Sequence, residues 1–218
     1  LSKLNDEIIR LDPRSSKLKK LFEEEERFLA EHGIAPEDVE GITKITKTDV
    51  SQIAEVRTQV ALCKIPAALE LLETIREEQE EPSPVTLYVY HRRTLEALKS
   101  ALSTKFPKLR VAYISGETPA KDRHNIIKNK FQTGLLDVLC ATIGSLREGV
   151  NATAGRDVIF LELDFVPSNI AQAIGRFHRR GQTGSVHVRK LVFDAGIEKR
   201  ILRILAEKST TIEKILGR

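Results

Sequence analysis

Apolar residues change their spacing along this chain. Through about the first 60 residues they recur at helical intervals. Leu18, Leu21, Phe22 and Leu29 share one face of a helix that restarts after Leu11-Asp12-Pro13 and closes at Gly33. A second helix is predicted over 48–62, and no strand is read in residues 1–61. Within the first helix, the run Glu23-Glu24-Glu25-Glu26 reads as a solvated face. Pro66 suits a helix start, and Leu69, Leu72 and Ile75 carry that helix to an acidic stretch that Pro82-Ser83-Pro84 breaks.

After Pro84, short apolar runs alternate with amphipathic helices. Strands are predicted over 85–90, 110–114, 137–141, 157–163 and 186–193. One intervening helix carries Leu95, Leu98 and Leu102, another Ile127 and Phe131, and a last one spans 168–179. This alternation implies βαβ units and a parallel sheet covered on both faces. The expected organisation is α/β: a small helical region over 1–61, a sheet-bearing unit over 62–193, and C-terminal helices over 194–218 packed on it. Open α/β sheets bind ligands beyond the carboxyl ends of their strands. The loops after the first three strands hold His91-Arg92-Arg93, Ser115-Gly116 and Thr142-Ile143-Gly144-Ser145. Cations, hydroxyls and exposed backbone N–H groups are the usual partners of phosphate oxygens. Three such loops on one sheet edge point to a phosphate-rich ligand.

Composition narrows the classes. With 218 residues, 41% hydrophobic and 30% charged, the chain suits one core of moderate size. A net charge of +4 is compatible with nucleic acid. No run approaches eighteen consecutive apolar residues, so no membrane partner is expected, and Asn5, Asp6 and Glu7 interrupt any leader pattern. Cys63 and Cys140 lack CxxC partners, which argues against structural zinc and for reduced thiols in an intracellular protein; no metal site is expected. The chain starts at Leu1 and contains no methionine, as expected of a piece of a longer protein.

The most specific string is Gln172-Ala-Ile-Gly-Arg176-Phe-His-Arg179-Arg180-Gly-Gln182. On a helix, Gln172, Arg176 and Arg179 would share a face, and two neighbouring guanidinium groups call for an anion between them. A basic helix lying on a nucleic-acid backbone fits the same residues. The string resembles the sixth motif of superfamily-two helicases, and its Arg-x-Gly-Gln ending resembles the Swi/Snf-like branch. Val85 to His91 is similar to the family's fourth motif. Ser115-Gly116-Glu117-Thr118-Pro119, Arg123 and Phe131-Gln132 match an ordered segment of it, and residues 142–154 resemble the fifth motif. Asp164-Phe165-Val166-Pro167 is similar to its D-W-N-P, and Lys64-Ile65-Pro66-Ala67 with Glu70 looks like the opening of this lobe in annealing-helicase relatives.

The resemblance implies a C-terminal RecA-like lobe, a three-layer α/β parallel sheet, of an ATP-dependent DNA translocase. It implies arginine fingers at Arg176 and Arg179, with Gln172 positioning the γ-phosphate or attacking water. Gly149, Asn151 and Gly175 would face the nucleotide. His91, Arg92, Ser115, Gly116, Thr142 and Arg180 would face the DNA backbone, without base reading. ATP and Mg2+ would be held mainly by an N-terminal RecA-like lobe, because these residues contain no G-x-x-x-x-G-K-[ST] loop and no acidic box. The fragment alone is therefore expected to be inactive. Its location would be intracellular, in a bacterial or phage-infected cytoplasm or in a nucleus, with cytoplasm favoured. Leu146-Arg147 stands where Swi/Snf-like chains carry Gly-Gly. An excision-repair, restriction-type or RNA helicase lobe stays open, as does a non-catalytic nucleic-acid-binding or regulatory module.

Overall fold

In the computed structural model, which describes residues 2–35, 47–146 and 151–215, six strands and seven helices run along the chain. They are β1 (Leu4–Leu11), α1 (Ser16–Glu31), α2 (Lys47–Leu62), α3 (Ile65–Glu78), β2 (Val85–Val89), α4 (Arg92–Lys105) and β3 (Val111–Ile114). Then come α5 (Ala120–Asn125), which continues into a π-helical turn (Ile126–Phe131), β4 (Val138–Thr142), β5 (Asp157–Phe160), α6 (Pro167–Ile174), β6 (Val186–Phe193) and α7 (Gly196–Ile215). The sheet order is β1-β6-β5-β2-β4-β3, and every neighbouring pair is parallel.

All five residues of β2 are buried, because successive side chains point to opposite faces and both faces are covered. Val85, Leu87 and Val89 pack with Leu69 and Leu72 of α3 and Leu95 and Leu98 of α4. Tyr88 packs on the other face, in the cluster that holds Ile127, Phe131, Ile174, Phe177, Ile197 and Ile201. The result is the three-layer arrangement that the alternation predicts.

Four sequence expectations are corrected. Leu4–Leu11 is a strand, not part of a helical region, and it pairs with β6 along its full length, Leu4 against Val186 through Leu11 against Phe193. Its mixed pattern carries no strand signature because it is an edge with five of its eight residues exposed. What holds it is pairing with a partner some 180 residues away, reinforced by ion pairs of Lys190 with Asp6 and of Arg189 with Glu7. The acidic run is not wholly solvated either. Glu25 is buried and accepts the Ile197 N–H at 3.0 Å, and Glu26 pairs with Arg200 at 2.8 Å.

The helix expected over 168–179 ends at Ile174. There the Phe177 and His178 N–H groups both turn back to the Ile174 carbonyl, and the segment finishes through Gly181 at φ 97°. Residues 196–215 form one helix, not several.

Two buried ionisable side chains fasten the first helices, Lys64 to the sheet and Glu25 to the start of α7. Lys64, with no exposed surface, donates to the carbonyls of Leu161 (2.9 Å) and Leu191 (2.8 Å) and pairs with Glu198. Glu25 sits at the start of α7, where a Cβ on Gly196 would collide with its carboxylate; the φ of +54° there also suits glycine.

Burial raises the Glu25 carboxyl from its ordinary 4.5 to about 7, with Glu198 adding to the rise and the Ile197 N–H, Arg57 and Lys64 opposing it. The native state therefore holds this proton more tightly than the unfolded chain does. Its contribution to stability is complete below about pH 4.5 and is lost as pH rises through about 7. Glu25→Gln keeps an acceptor for Ile197 but cannot titrate. Urea unfolding from pH 4.5 to 7.5 should show the variant losing this part of the pH dependence, on the order of 3 kcal/mol at most. An unchanged profile would mean that Glu25 does not titrate in this range.

Candidate nucleic-acid and nucleotide site

Strands β2, β3, β4 and β5 all end on one side of the sheet, and their exit loops frame an open groove of about 680 Å³. Four of the residues expected to face a backbone, Arg92, Ser115, Gly116 and Thr142, line it together, with Tyr90 and Asn169 on the same wall. Each loop is held by its own short-range bonding. After β3, the Ser115 N–H donates to Thr118 Oγ1 (2.9 Å) and the Glu117 N–H to Ser115 Oγ (3.3 Å), closing a turn around Gly116. After β4, Ser145 Oγ donates to the Thr142 carbonyl (2.7 Å), and the Arg123 guanidinium reaches the Ser145 carbonyl at 2.7 Å. Arg92 pairs with Glu117 across the groove, with both side chains well exposed.

Behind this wall lies Glu162, buried beyond the end of β5. Its carboxylate accepts the N–H groups of Tyr90 (2.8 Å) and His91 (3.0 Å) and bonds to His91 Nδ1. Burial alone would raise this carboxyl. The bonds and charge of His91, helped by Arg57, outweigh it and hold the carboxyl below its ordinary value. His91 is thus tied back to the sheet through one ring nitrogen. Asp164, also buried, accepts from the Val166 N–H (2.9 Å) and Asn169 Nδ2 (2.7 Å), shaping the turn into α6.

The arginine segment borders a second locus. The Ala152 N–H donates to the Arg176 carbonyl at 3.0 Å, so Asn151 and Arg176 lie on adjoining chain segments. Two glutamines clamp the stretch after Asn151. Gln132 bonds Thr153 Oγ1 (3.2 Å) and accepts the Ala154 N–H (2.8 Å). Gln182, nearly buried, donates through Nε2 to the carbonyls of Phe177, Thr153 and Gly155 at 3.0–3.3 Å. Gly155 is required there, since a Cβ would come within 2.7 Å of the Phe131 ring. Gln172, Arg179 and Arg180 are exposed, Arg176 is half-buried, and Gly175 lies exposed at the end of α6. Gly149 lies outside the described residues.

The helical face that would have joined Gln172, Arg176 and Arg179 does not extend that far. Arg176 and Arg179 follow the end of α6, where the Ala152 N–H holds the Arg176 carbonyl and the Gln182 N–H the Arg179 carbonyl. Sequence reasoning missed Glu162 and gave Gln182 only a family resemblance. An acidic residue inside the apolar run Phe160-Leu161-Glu162-Leu163 was the available signal for the first; no spacing rule marks the second. Among the described residues no group of three or more His, Cys, Asp or Glu side chains could hold a metal ion, and no helix is long and apolar enough to cross a membrane.

The chain is similar to several known proteins. The model of the helicase conserved C-terminal domain matches residues 63–181. The chromatin-remodeling ATPase INO80 of Cryptococcus neoformans is 27% identical over 172 residues, 79% of this chain but 10% of that protein. A Drosophila melanogaster SWI/SNF-related matrix-associated actin-dependent regulator of chromatin, subfamily A-like protein 1, is 29% identical over 167 residues, 76% of this chain and 20% of that protein. The chain thus spans only a small part of the curated relatives it matches. Among solved structures, the C-terminal part of the Fun30 ATPase domain aligns with a TM-score of 0.69 at 18% identity, over 94% of this chain and 89% of that one. The Sulfolobus solfataricus SWI2/SNF2 ATPase core in complex with dsDNA aligns with a TM-score of 0.66 at 20% identity, over 98% and 46%. The fold is RecA-like, and the chain belongs to the helicase conserved C-terminal domain family, as a C-terminal lobe of the Swi/Snf-like, superfamily-two kind.

Proposed function

We propose that this lobe is half of an ATP-dependent DNA translocase, gripping the DNA backbone with its groove and supplying arginines to ATP held on a partner lobe. The observation that carries the reading is the convergence of Arg92, Ser115, Gly116 and Thr142 on one groove at the carboxyl ends of the strands. Cations, hydroxyls and a glycine backbone suit phosphate oxygens and offer little to discriminate bases. The solved Sulfolobus relative is a complex with duplex DNA, which favours the same ligand here.

The second locus serves the nucleotide. Arg176 and Arg179 would act as fingers on the triphosphate, Gln172 would orient the γ-phosphate or attacking water, and Asn151, Gly175 and Gly149 would border the nucleotide. The donor set fits this role, because guanidinium and amide groups pair with phosphate oxygens. It does not fit a magnesium ion, for which the described residues assemble no carboxylate cluster. In this reading, ATP and Mg2+ would be held mainly by an N-terminal RecA-like lobe. Closure of the two lobes on ATP would bring the fingers into place, and alternating grips on phosphate would move the protein along DNA. Such work places the protein inside the cell, wherever its DNA is, in cytoplasm or nucleus.

Three measurements test this. The chain should bind duplex oligonucleotides of unrelated sequence equally, and Arg92→Ala should reduce the slope of log K against log salt by about 0.9. Binding that depends on base sequence, or no binding at low salt, contradicts the groove assignment. The chain alone should hydrolyse ATP negligibly, so DNA-stimulated turnover by these residues would overturn the division of labour. In a full-length enzyme, Arg179→Lys should lower turnover by ~10³, since lysine lacks the planar fork. A loss below about tenfold would move the finger role to another residue.

A further inference from the structure

Arg57 lies on α2, outside the segment that the helicase family model matches. It is a charged residue with only 8% of its surface exposed, yet it makes no ion pair among the described residues. Its guanidinium instead lies over two rings, 4.1 Å from the centroid of Phe165 and 5.0 Å from that of Tyr90. One nitrogen donates to the Leu163 carbonyl at 2.8 Å. Tyr90 belongs to the exit loop of β2, and Leu163 and Phe165 to the exit loop of β5. Both loops border the groove, where Tyr90 keeps 39% of its surface exposed.

We infer that Arg57 is a positioning residue for the groove: by stacking on Tyr90 and Phe165 and bonding Leu163 it sets the two exit loops relative to each other, so that the shape of the groove depends on α2 being seated. As a statement about nucleic-acid grip, this rests on the function proposed above. The chemistry requires arginine. Only a planar cation can lie over rings while donating in its own plane, and lysine keeps the charge without the plane. A neutral planar amide would keep the plane without the attraction to the rings.

The surroundings support the assignment. The Arg57 charge helps keep the Glu162 carboxyl below its ordinary value, and Glu162 holds the Tyr90 and His91 N–H groups. Asp164, next to Phe165, holds Val166 and Asn169, and Asn169 lines the groove. One side chain of α2 thus braces from outside the junction at which Glu162, on the exit loop of β5, bonds Tyr90 and His91 on the exit loop of β2. Seating of α2 and occupancy of the groove are then linked equilibria: a ligand that needs the aligned loops must favour the docked helix, and loss of docking must weaken the ligand by the same factor.

The test uses the full chain with Arg57→Ala and Arg57→Lys. Glu55→Ala serves as the control, since it removes exposed contacts of α2 alone, the ion pair with Arg93 and the hydrogen bond from Gln59. Amide hydrogen exchange without ligand is the first readout. In Arg57→Ala the Tyr90, His91 and Val166 amides should exchange roughly tenfold faster or more, while the amides inside β2, β4 and β5 keep their protection. Arg57→Lys should show most of the same loosening, and it decides the matter if Arg57→Ala does not fold. Glu55→Ala should match the parent chain. Affinity for a duplex oligonucleotide is the second readout. It should fall about tenfold in both Arg57 variants, with a salt slope smaller by about 0.9 for each phosphate that the loosened groove no longer neutralises. Unchanged loop exchange, or exchange accelerated evenly across the sheet, overturns the assignment, as does full rescue by lysine. If the parent chain does not bind duplex at all, the nucleic-acid reading fails, and the exchange data alone then uphold or overturn positioning by Arg57.

Discussion

The ammonium group of Lys64 has no water around it, and much of the lobe is arranged so that it can stay there. A buried cation without partners costs several kcal/mol, so its surroundings are constrained to supply acceptors. Two come from the sheet. Leu161 and Leu191 directly follow Phe160 and Lys190, the last paired positions of β5 and β6, so Lys64 extends the link between the strands where the ladder stops. The third is Glu198, whose other oxygen accepts the Phe193 N–H at 2.9 Å and so sets how the chain leaves β6 for α7. Glu25 repeats the device one step away at the start of α7. Three ionisable side chains thereby fasten α1, α3 and α7 to the end of the sheet where the candidate loops emerge.

That fastening explains why the two candidate loci can be made of loops and still be ordered. Few of the side chains proposed to meet ligand are themselves held by strong bonds. Arg92 is exposed, and so are Arg179 and Arg180. The precision sits behind them. Glu162 and Asp164 orient the exit loops from below, and Gln132 and Gln182 grip residues 153–155 from both sides. Exposed cations on rigid supports suit a ligand that must be gripped and released repeatedly.

The sheet from Val85 to Phe193 was legible in the sequence because its strands are buried on both faces and read as apolar runs. The groove was legible too, since topology alone puts the carboxyl ends of parallel strands on one side. β1 was not legible: Leu4–Leu11 owes its form to β6, and nothing local in Asn5-Asp6-Glu7 announces a strand. Nor was the end of α6, where the helical spacing of Gln172, Arg176 and Arg179 continues through a segment that the carbonyl of Ile174 has already turned. Glu25 was hidden for the opposite reason. A run of four glutamates looks uniform, and only the tertiary neighbour Ile197 singles one of them out. Buried polar groups with distant partners are the class of residue that periodicity cannot find.

The position of β1 bears on how the chain reaches this state. β1 precedes its hydrogen-bonding partner β6 by more than 170 residues of chain, so during synthesis it emerges well before β6 does. Pairing so distant in sequence must close a loop containing nearly the whole lobe, which is entropically costly and slow. Until then Ile8, Ile9 and Leu11 have no strand to lie against, and the charges of Asp6, Glu7 and Arg10 discourage that waiting segment from pairing with another copy. Residues that look like an ill-formed strand in the finished fold thus act as a safeguard for the unfinished one.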